Sequence, residues 1–276
     1  MRVATVDRLV TLFYDGSKEL YNEELANEWW EGYNTHNGNI DDWKEWNLSD
    51  ECKAYWRERQ TWKQIIVVEG VTVIPQLTFH HCKSIKRVIM ADTVVRIEPC
   101  AFGKCSSLVF IKLSIYLEYI GVLAFKECDL FSVFIPPRCR EIGAVAFYSN
   151  KNLTIFNVPR DTEIRGSVIF GTKLLHDSHF ELNERGSYHD HTEEVHNWLK
   201  NMNNDNKYSL HRACSSFQPL KEVLLTIVRA KGIGAFTVKN EADITPSKYL
   251  RENPYADIEE MDIVRDYVMK MMGEYN

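Results

Sequence analysis

Five phenylalanines, Phe79, Phe102, Phe125, Phe147 and Phe170, follow one another at spacings of 23, 23, 22 and 23 residues. Few architectures tolerate so regular a recurrence. A fixed period of 20–50 residues marks a chain built of stacked units, each too small to bury its own apolar side. Other positions keep the same beat. Isoleucine stands five residues before four of these phenylalanines, at Ile74, Ile97, Ile120 and Ile142, while Ile164 is displaced by one. Cysteine stands three residues after the first three, at Cys82, Cys105 and Cys128, and Asn150 takes that place in the fourth copy. Alanine precedes the inner phenylalanines at Ala101, Ala124 and Ala146.

After each cysteine position comes an L-x-x-L-x-L pattern, filled by Ile85/Val88/Met90, Leu108/Ile111/Leu113, Leu130/Val133/Ile135 and Leu153/Phe156/Val158, with Trp62/Ile65/Val67 starting the series. The single spacing of 22 reflects one residue fewer between Cys128 and Leu130. A period of about 22–23 falls within the leucine-rich-repeat range and outside that of ankyrin, tetratricopeptide and propeller units. The stretches RIEPCAFGKCSSLVFIKL, YIGVLAFKECDLFSVFIPP and EIGAVAFYSNKNLTIFNVP resemble the BspA-type leucine-rich repeats of bacterial surface proteins and many protists, whose unit reads I-G-x-x-A-F-x-x-C-x-x-L-x-x-V-x-I-P. The resemblance covers residues 62–175 and implies a solenoid of five rungs. It points to binding rather than catalysis, and its bacterial members imply an alternative role as a cell-surface adhesin or carbohydrate binder.

The expected architecture is an α/β repeat protein: a leucine-rich-repeat solenoid over 62–175, a small Trp-rich acidic N-terminal cap over 1–61, and a C-terminal α-helical, ankyrin-like region over 176–276. Strands are predicted at 64–67, 87–90, 110–113, 132–135 and 155–158, pairing in parallel from rung to rung. Cys82, Cys105 and Cys128 then form a ladder of buried free thiols.

Residues alternating out of the strands face away from the core: Gln64 and Ile66, Arg87 and Ile89, Phe110 and Lys112, Ser132 and Phe134, Ile155 and Asn157. One large apolar residue per rung on a face that should be polar is the pattern of an interface. Ile66, Arg87, Ile89, Phe110, Lys112, Phe134 and Ile155 are therefore the candidate protein-binding residues. The alternative is that a terminal segment of the chain itself covers them.

Six of the seven tryptophans lie in the first 62 residues, consistent with a packed cap or, alternatively, a sugar-binding platform. DRLVTLFYDGSKELY reads as a strand, a turn at Asp15-Gly16 and a helix to about Trp30, and Ser49 can cap a second helix to about Glu58. Beyond the repeats, Leu220, Val223, Leu224, Ile227 and Val228 share one helical stripe. YSLHRAC and ITPSKYL resemble the T-P-L-H-x-A helix start of ankyrin repeats, and a last helix is expected from near Asp257, burying Met261, Val264, Val268 and Met271.

No chemistry-bearing motif competes with this reading. YHDHTEEVH gathers His189, His191 and His196 at spacings unsuited to a shared helical face, KGIGAF lacks a phosphate-loop Lys-Ser/Thr, and Cys214 near His211 is expected to be a buried helix thiol. The expectation is thus a non-enzymatic scaffold without metal or cofactor, monomeric, binding an unidentified protein and neither nucleic acid nor membrane. The N-terminus, with Asp7 and Arg8 among its apolar residues, has no signal-peptide core, and seven unpaired-looking cysteines suit reduced thiols, so an intracellular location is expected. The net charge of −6 conceals an uneven distribution. Residues 1–61 hold 7 Lys+Arg against 13 Asp+Glu, residues 62–175 hold 14 against 9, and residues 176–276 hold 12 against 17. A basic middle is flanked by acidic ends.

Overall fold

The structure, a computed structural model, describes residues 2–6, 9–14, 23–35, 46–176, 192–201, 238–240 and 242–254. Each rung begins with a short strand whose alternate side chains enter the core: β3 (Gln64–Val67), β5 (Arg87–Met90), β7 (Phe110–Lys112), β9 (Ser132–Phe134) and β11 (Ile155–Asn157). These are the five predicted strands, the last three ending one residue early. A second ladder is built from two-residue strands, β4 (Val73–Ile74), β6 (Arg96–Ile97), β8 (Tyr119–Ile120), β10 (Glu141–Ile142) and β12 (Glu163–Ile164), all parallel. The repeating isoleucine enters the core from this ladder, and all five copies are buried.

The chain then turns tightly around the repeating phenylalanine. Two residues per turn, two before and two after Phe, adopt left-handed backbone: Leu77 and His81, Cys100 and Lys104, Leu123 and Glu127, Val145 and Ser149, with φ of 53–61°. Such conformations cost non-glycine residues about 1 kcal/mol or more each. A third set of rung-to-rung hydrogen bonds offsets that cost. Leu77, Phe79 and His81 donate their N–H groups to Pro99, Ala101 and Gly103 carbonyls at 3.2, 2.7 and 2.8 Å, and the next rungs repeat the triplet. Inside these turns Phe79, Phe102, Phe125 and Phe147 stack, with centroids 5.0–5.2 Å apart and planes within 19°.

In the last rung the stack position belongs to Ile169 rather than to Phe170. Phe125 and Glu127 donate to Ala146 and Tyr148, and their counterparts Phe147 and Ser149 donate to Val168 and Phe170, so Ile169 is the residue equivalent to Phe147. The rung is therefore 22 residues long, which accounts for Ile164: it pairs with Ile142 and stands five residues before Ile169.

The cysteine ladder has a hydrogen-bonding logic. Cys105 and Cys128 donate their thiols to the carbonyls of Phe79 and Phe102, at 3.0 and 3.2 Å. Asn150 makes the corresponding bond to Phe125, at 2.8 Å, and adds bonds to Phe147 O and from Leu130 N. A small donor is needed there because each phenylalanine carbonyl points inward between rungs.

Glycine in the Ile-Gly pair has a steric cause. A Cβ on Gly143 would lie 2.5 Å from the backbone nitrogen of Val122, and one on Gly121 would lie 2.5 Å from that of Pro99. Gly143→Ala should therefore lower stability by about 1–3 kcal/mol, the ordinary cost of overpacking, as read from the shift of its urea midpoint.

Two features depart from the predicted layout. First, β3, β5 and β7 pair in register, as do β9 and β11, but β7 and β9 share no ladder among the described residues. The one-residue-short turn before Leu130 carries Asp129 N onto Leu108 O at 3.0 Å, and the strand that follows starts out of step with β7. Second, the sheet continues N-terminally past β3. Strand β2 (Leu9–Tyr14) pairs in parallel with β3, and β1 (Arg2–Val6) pairs antiparallel with β2.

Helices α1 (Glu23–Thr35) and α2 (Asp50–Arg59) follow, α2 capped by Ser49 Oγ accepting from Cys52 N at 3.0 Å. Trp29, Trp46, Cys52 and Trp56 form a separate small core, with Trp29 stacked on Trp56 at 4.1 Å. Gln60 joins α2 to the first rung, donating to His81 O and accepting from Lys83 N. Helix α3 (Lys173–His176) closes the last rung, and α4 (Thr192–Asn201) packs Val195, Trp198 and Leu199 onto the solenoid core. The helices expected at 220–228 and beyond Asp257, and the YSLHRAC motif, lie outside the described residues.

Candidate functional site

The outward strand face is organised by the ladder registers. Gln64, Arg87 and Phe110 stand in one row that begins at Thr11, and Ile66, Ile89 and Lys112 stand in a second that begins at Phe13. Across the break, Ser132 pairs with Ile155 and Phe134 with Asn157. Phe13 was not among the sequence candidates. The signal was present: Leu9, Leu12 and Tyr14 have the L-x-x-L-x-L spacing of a rung, but no Phe-Cys limb follows them.

The face divides into two halves. Ile66, Ile89, Phe110 and Lys112 are partly exposed and Arg87 is exposed, its guanidinium lying 4.5 Å from the centre of the Phe110 ring. Phe134 and Ile155 differ. They are 3% and 0% exposed, so neither forms part of an accessible patch. Helix α5 (Pro246–Glu252) lies over them: Tyr249, itself buried, meets Phe134 edge-on at 6.4 Å, Lys248 Nζ donates to Thr154 Oγ1, and Ser132 Oγ donates to Glu252 O. Of the two outcomes expected for the apolar face, the C-terminal half shows cover by the chain's own segment. Thr245 and Pro246 start α5, Thr245 Oγ1 accepting from Lys248 N at 3.3 Å.

The other candidates are structural where they are described. Trp29, Trp46, Trp56 and Trp62 are buried and offer no sugar platform. Arg59 is buried beside them, its guanidinium within 4.6–5.2 Å of the Tyr55, Trp56 and Trp62 ring centres and donating to Tyr55 Oη. His196 sits on α4 with Nε2 2.7 Å from Gly166 O. His189, His191, His211 and Cys214 lie outside the described residues. Among the described residues no three His, Cys, Asp or Glu side chains converge as a metal-ligand set.

Titratable groups in the core are displaced away from neutrality. Burial pushes Cys139 up to about 12, and burial with the neighbouring Glu28 carboxylate does the same for Cys52. Burial likewise raises Cys82, Cys100, Cys105 and Cys128. Burial, with Lys104 and Lys83 nearby, holds His81 at about 3, and burial beside His81 keeps His80 well below its usual range. All six described cysteines are buried free thiols. Native protein should react with a thiol reagent at these positions about 100-fold more slowly than denatured protein, as followed by mass spectrometry of each peptide.

The geometry defines a leucine-rich-repeat β-solenoid. Residues 72–184 match the BspA type leucine rich repeat region in six copies. Similar solved structures include a leucine-rich repeat protein from Bacteroides ovatus, 29% identical with a TM-score of 0.39, the match covering 41% of this chain and 30% of that one. A T. pallidum leucine rich repeat protein is 27% identical with a TM-score of 0.36, covering 38% and 51%. A leucine rich cell surface protein from Faecalibacterium prausnitzii is 24% identical with a TM-score of 0.36, covering 40% and 34%. The chain thus spans between 30% and 51% of the length of these proteins. No curated protein matches it. Among the described residues no helix is long and apolar enough to cross a membrane.

Proposed function

We propose that the chain is a non-enzymatic protein-interaction scaffold whose partner docks on the N-terminal half of the strand face, on Ile66, Arg87, Ile89, Phe110 and Lys112. The division of the face carries this reading: its C-terminal half is already occupied by α5, while the apolar rows continue, partly exposed, over β3, β5 and β7. Residues 1–61 act as the cap that closes the first rung, and α3 with α4 closes the last, because solenoid ends otherwise expose core. Six buried thiols, each raised by its surroundings, fit a reducing intracellular compartment, and the scaffold works as a monomer.

The test is affinity capture from the native cell with the full chain and with its Ile89→Ser/Phe110→Ser variant. Partner recovery should fall about tenfold or more while the melting temperature stays within a few degrees, since both side chains retain solvent contact. Equal recovery by the two would exclude this face. Fractionation of the native protein tests its compartment, and a secreted, glycosylated product would overturn the intracellular assignment.

A further inference from the structure

We propose that the corner of the fourth rung, between β9 and β10, binds a small zwitterion of the amino-acid type, its carboxylate on Arg138 and Arg140 and its ammonium on Glu118 and Asp161. A cleft of about 290 Å³ lies there, lined by Glu118, Pro137, Arg138, Cys139, Arg140 and Asp161. That is the lower end of the size of small-molecule sites, with room for one amino acid rather than for a long peptide or a sugar chain. None of its lining residues belongs to the strand face, so the site stands independently of the docking reading above.

The local sequence builds the cleft. Pro136 and Pro137 fix two successive φ angles, Cys139 N donates back to Pro136 O at 3.0 Å, and the Cys139 side chain is buried. On either side of that inward residue, Arg138 and Arg140 are both exposed. Rung-to-rung bonds hold their backbone. Arg140 N donates to Glu118 O at 2.9 Å, Thr162 Oγ1 to Cys139 O at 2.8 Å, and Glu163 N to Arg140 O at 2.8 Å. The same stacking supplies the walls: Glu118 comes from the rung before and Asp161 from the rung after, so two guanidiniums stand between two carboxylates. Arg138 is further held by Tyr116, its guanidinium 4.6 Å from the centre of that exposed ring.

The charges select the ligand. Arginines elsewhere along the second ladder are paired, Arg96 with Glu98 at 2.9 Å and Arg165 with Glu141 and Glu163 at 3.1 Å. Arg138 and Arg140 form no ion pair among the described residues, although two carboxylates line their cleft. Two guanidiniums can hold a carboxylate through paired hydrogen bonds. A phosphate or sulfate dianion would meet the same arginines but also the like charges of Glu118 and Asp161, which disfavour it. A molecule with an ammonium beside its carboxylate satisfies both pairs at once.

Phenylalanine is a suitable probe, because its side chain can lie along Pro137 and the Tyr116 ring, while N-acetylphenylalanine lacks the ammonium and phenethylamine lacks the carboxylate. In ligand-observed NMR titrations against the full chain, phenylalanine should bind about tenfold or more tighter than either analogue or inorganic phosphate. Arg138→Gln/Arg140→Gln should abolish phenylalanine binding. Glu118→Gln/Asp161→Asn should weaken it about tenfold and bring N-acetylphenylalanine and phosphate to equal or tighter binding than phenylalanine. Both variants should keep the circular dichroism spectrum and a melting temperature within a few degrees, since the four side chains form no ion pair among the described residues. N-acetylphenylalanine binding the unaltered chain as tightly as phenylalanine, or phosphate binding it more tightly, would overturn the inference in favour of a plain anion site. Phenylalanine binding that survives loss of both arginines, or no binding by any of the four compounds, would overturn it outright.

Discussion

Phe125→Ala should lower the stability of the chain by about 3–5 kcal/mol, the usual cost of deleting a buried phenylalanine, and denaturant titration followed by tryptophan fluorescence and circular dichroism should show it. Phe125 is fully buried, with Phe102 and Phe147 stacked on its two faces at 5.2 and 5.1 Å. Its neighbours cannot collapse into the void without giving up the turn geometry, because Phe102 and Phe147 donate rung-to-rung hydrogen bonds and are flanked two residues away on each side by the left-handed positions. A loss of this size is a large share of the 5–15 kcal/mol that holds an ordinary domain together. Phe170→Ala distinguishes the two assignments of the last rung. Phe170 is 5% exposed but lies outside the stack, whereas Ile169, 0% exposed, occupies the stack position. Ile169→Ala should disturb the ring packing of Phe147, visible in near-UV circular dichroism, and Phe170→Ala should leave that signature intact. Loss of the Phe147 signature only in Phe170→Ala would restore the 23-residue spacing.

How far the sequence could be read follows from the range of the interactions involved. Rung strands were legible to within a residue, because a solenoid repeats one local solution and the apolar period records it directly. The short turn before Leu130 was legible as a missing residue, yet its consequence, a break between β7 and β9, was not. Ladder formation depends on where the next strand starts relative to its neighbour, and the period alone leaves that open. Phe170 misled because phenylalanine is a conspicuous marker, while the hydrogen-bond frame moves the stack position to a less conspicuous isoleucine. At the N-terminus, Leu9, Leu12 and Tyr14 carry a rung's spacing without the rest of the rung, so β2 is legible as a strand of the cap but not as a neighbour of β3. What covers the strand face lay furthest from reach: Ser132 and Glu252 are 120 residues apart, and nothing in the pattern of either segment names the other.

Phe110 and Phe134 are both outward-alternating residues of successive rungs, Phe110 at the position of Ser132 and Phe134 at that of Lys112, so substituting each by serine separates cover from exposure. Phe134→Ser should cost about 3–5 kcal/mol, since the ring is 3% exposed and its removal opens a void beneath Tyr249. Phe110→Ser should cost about 1 kcal/mol or less, as Phe110 retains solvent contact and its stacking with Arg87 is a surface interaction. Tyr249→Ala should resemble Phe134→Ser, and the double substitution should cost less than the sum of the two, because the rings share one contact worth about 0.5–1.5 kcal/mol beyond their buried area. Additive losses would mean that α5 is held by other contacts and that Phe134 is buried independently of it. A small effect for Phe134→Ser, combined with a large one for Phe110→Ser, would reverse the assignment of the covered and exposed halves. The docking face would then lie over β9 and β11, next to the last rung, with α5 as the element a partner must displace.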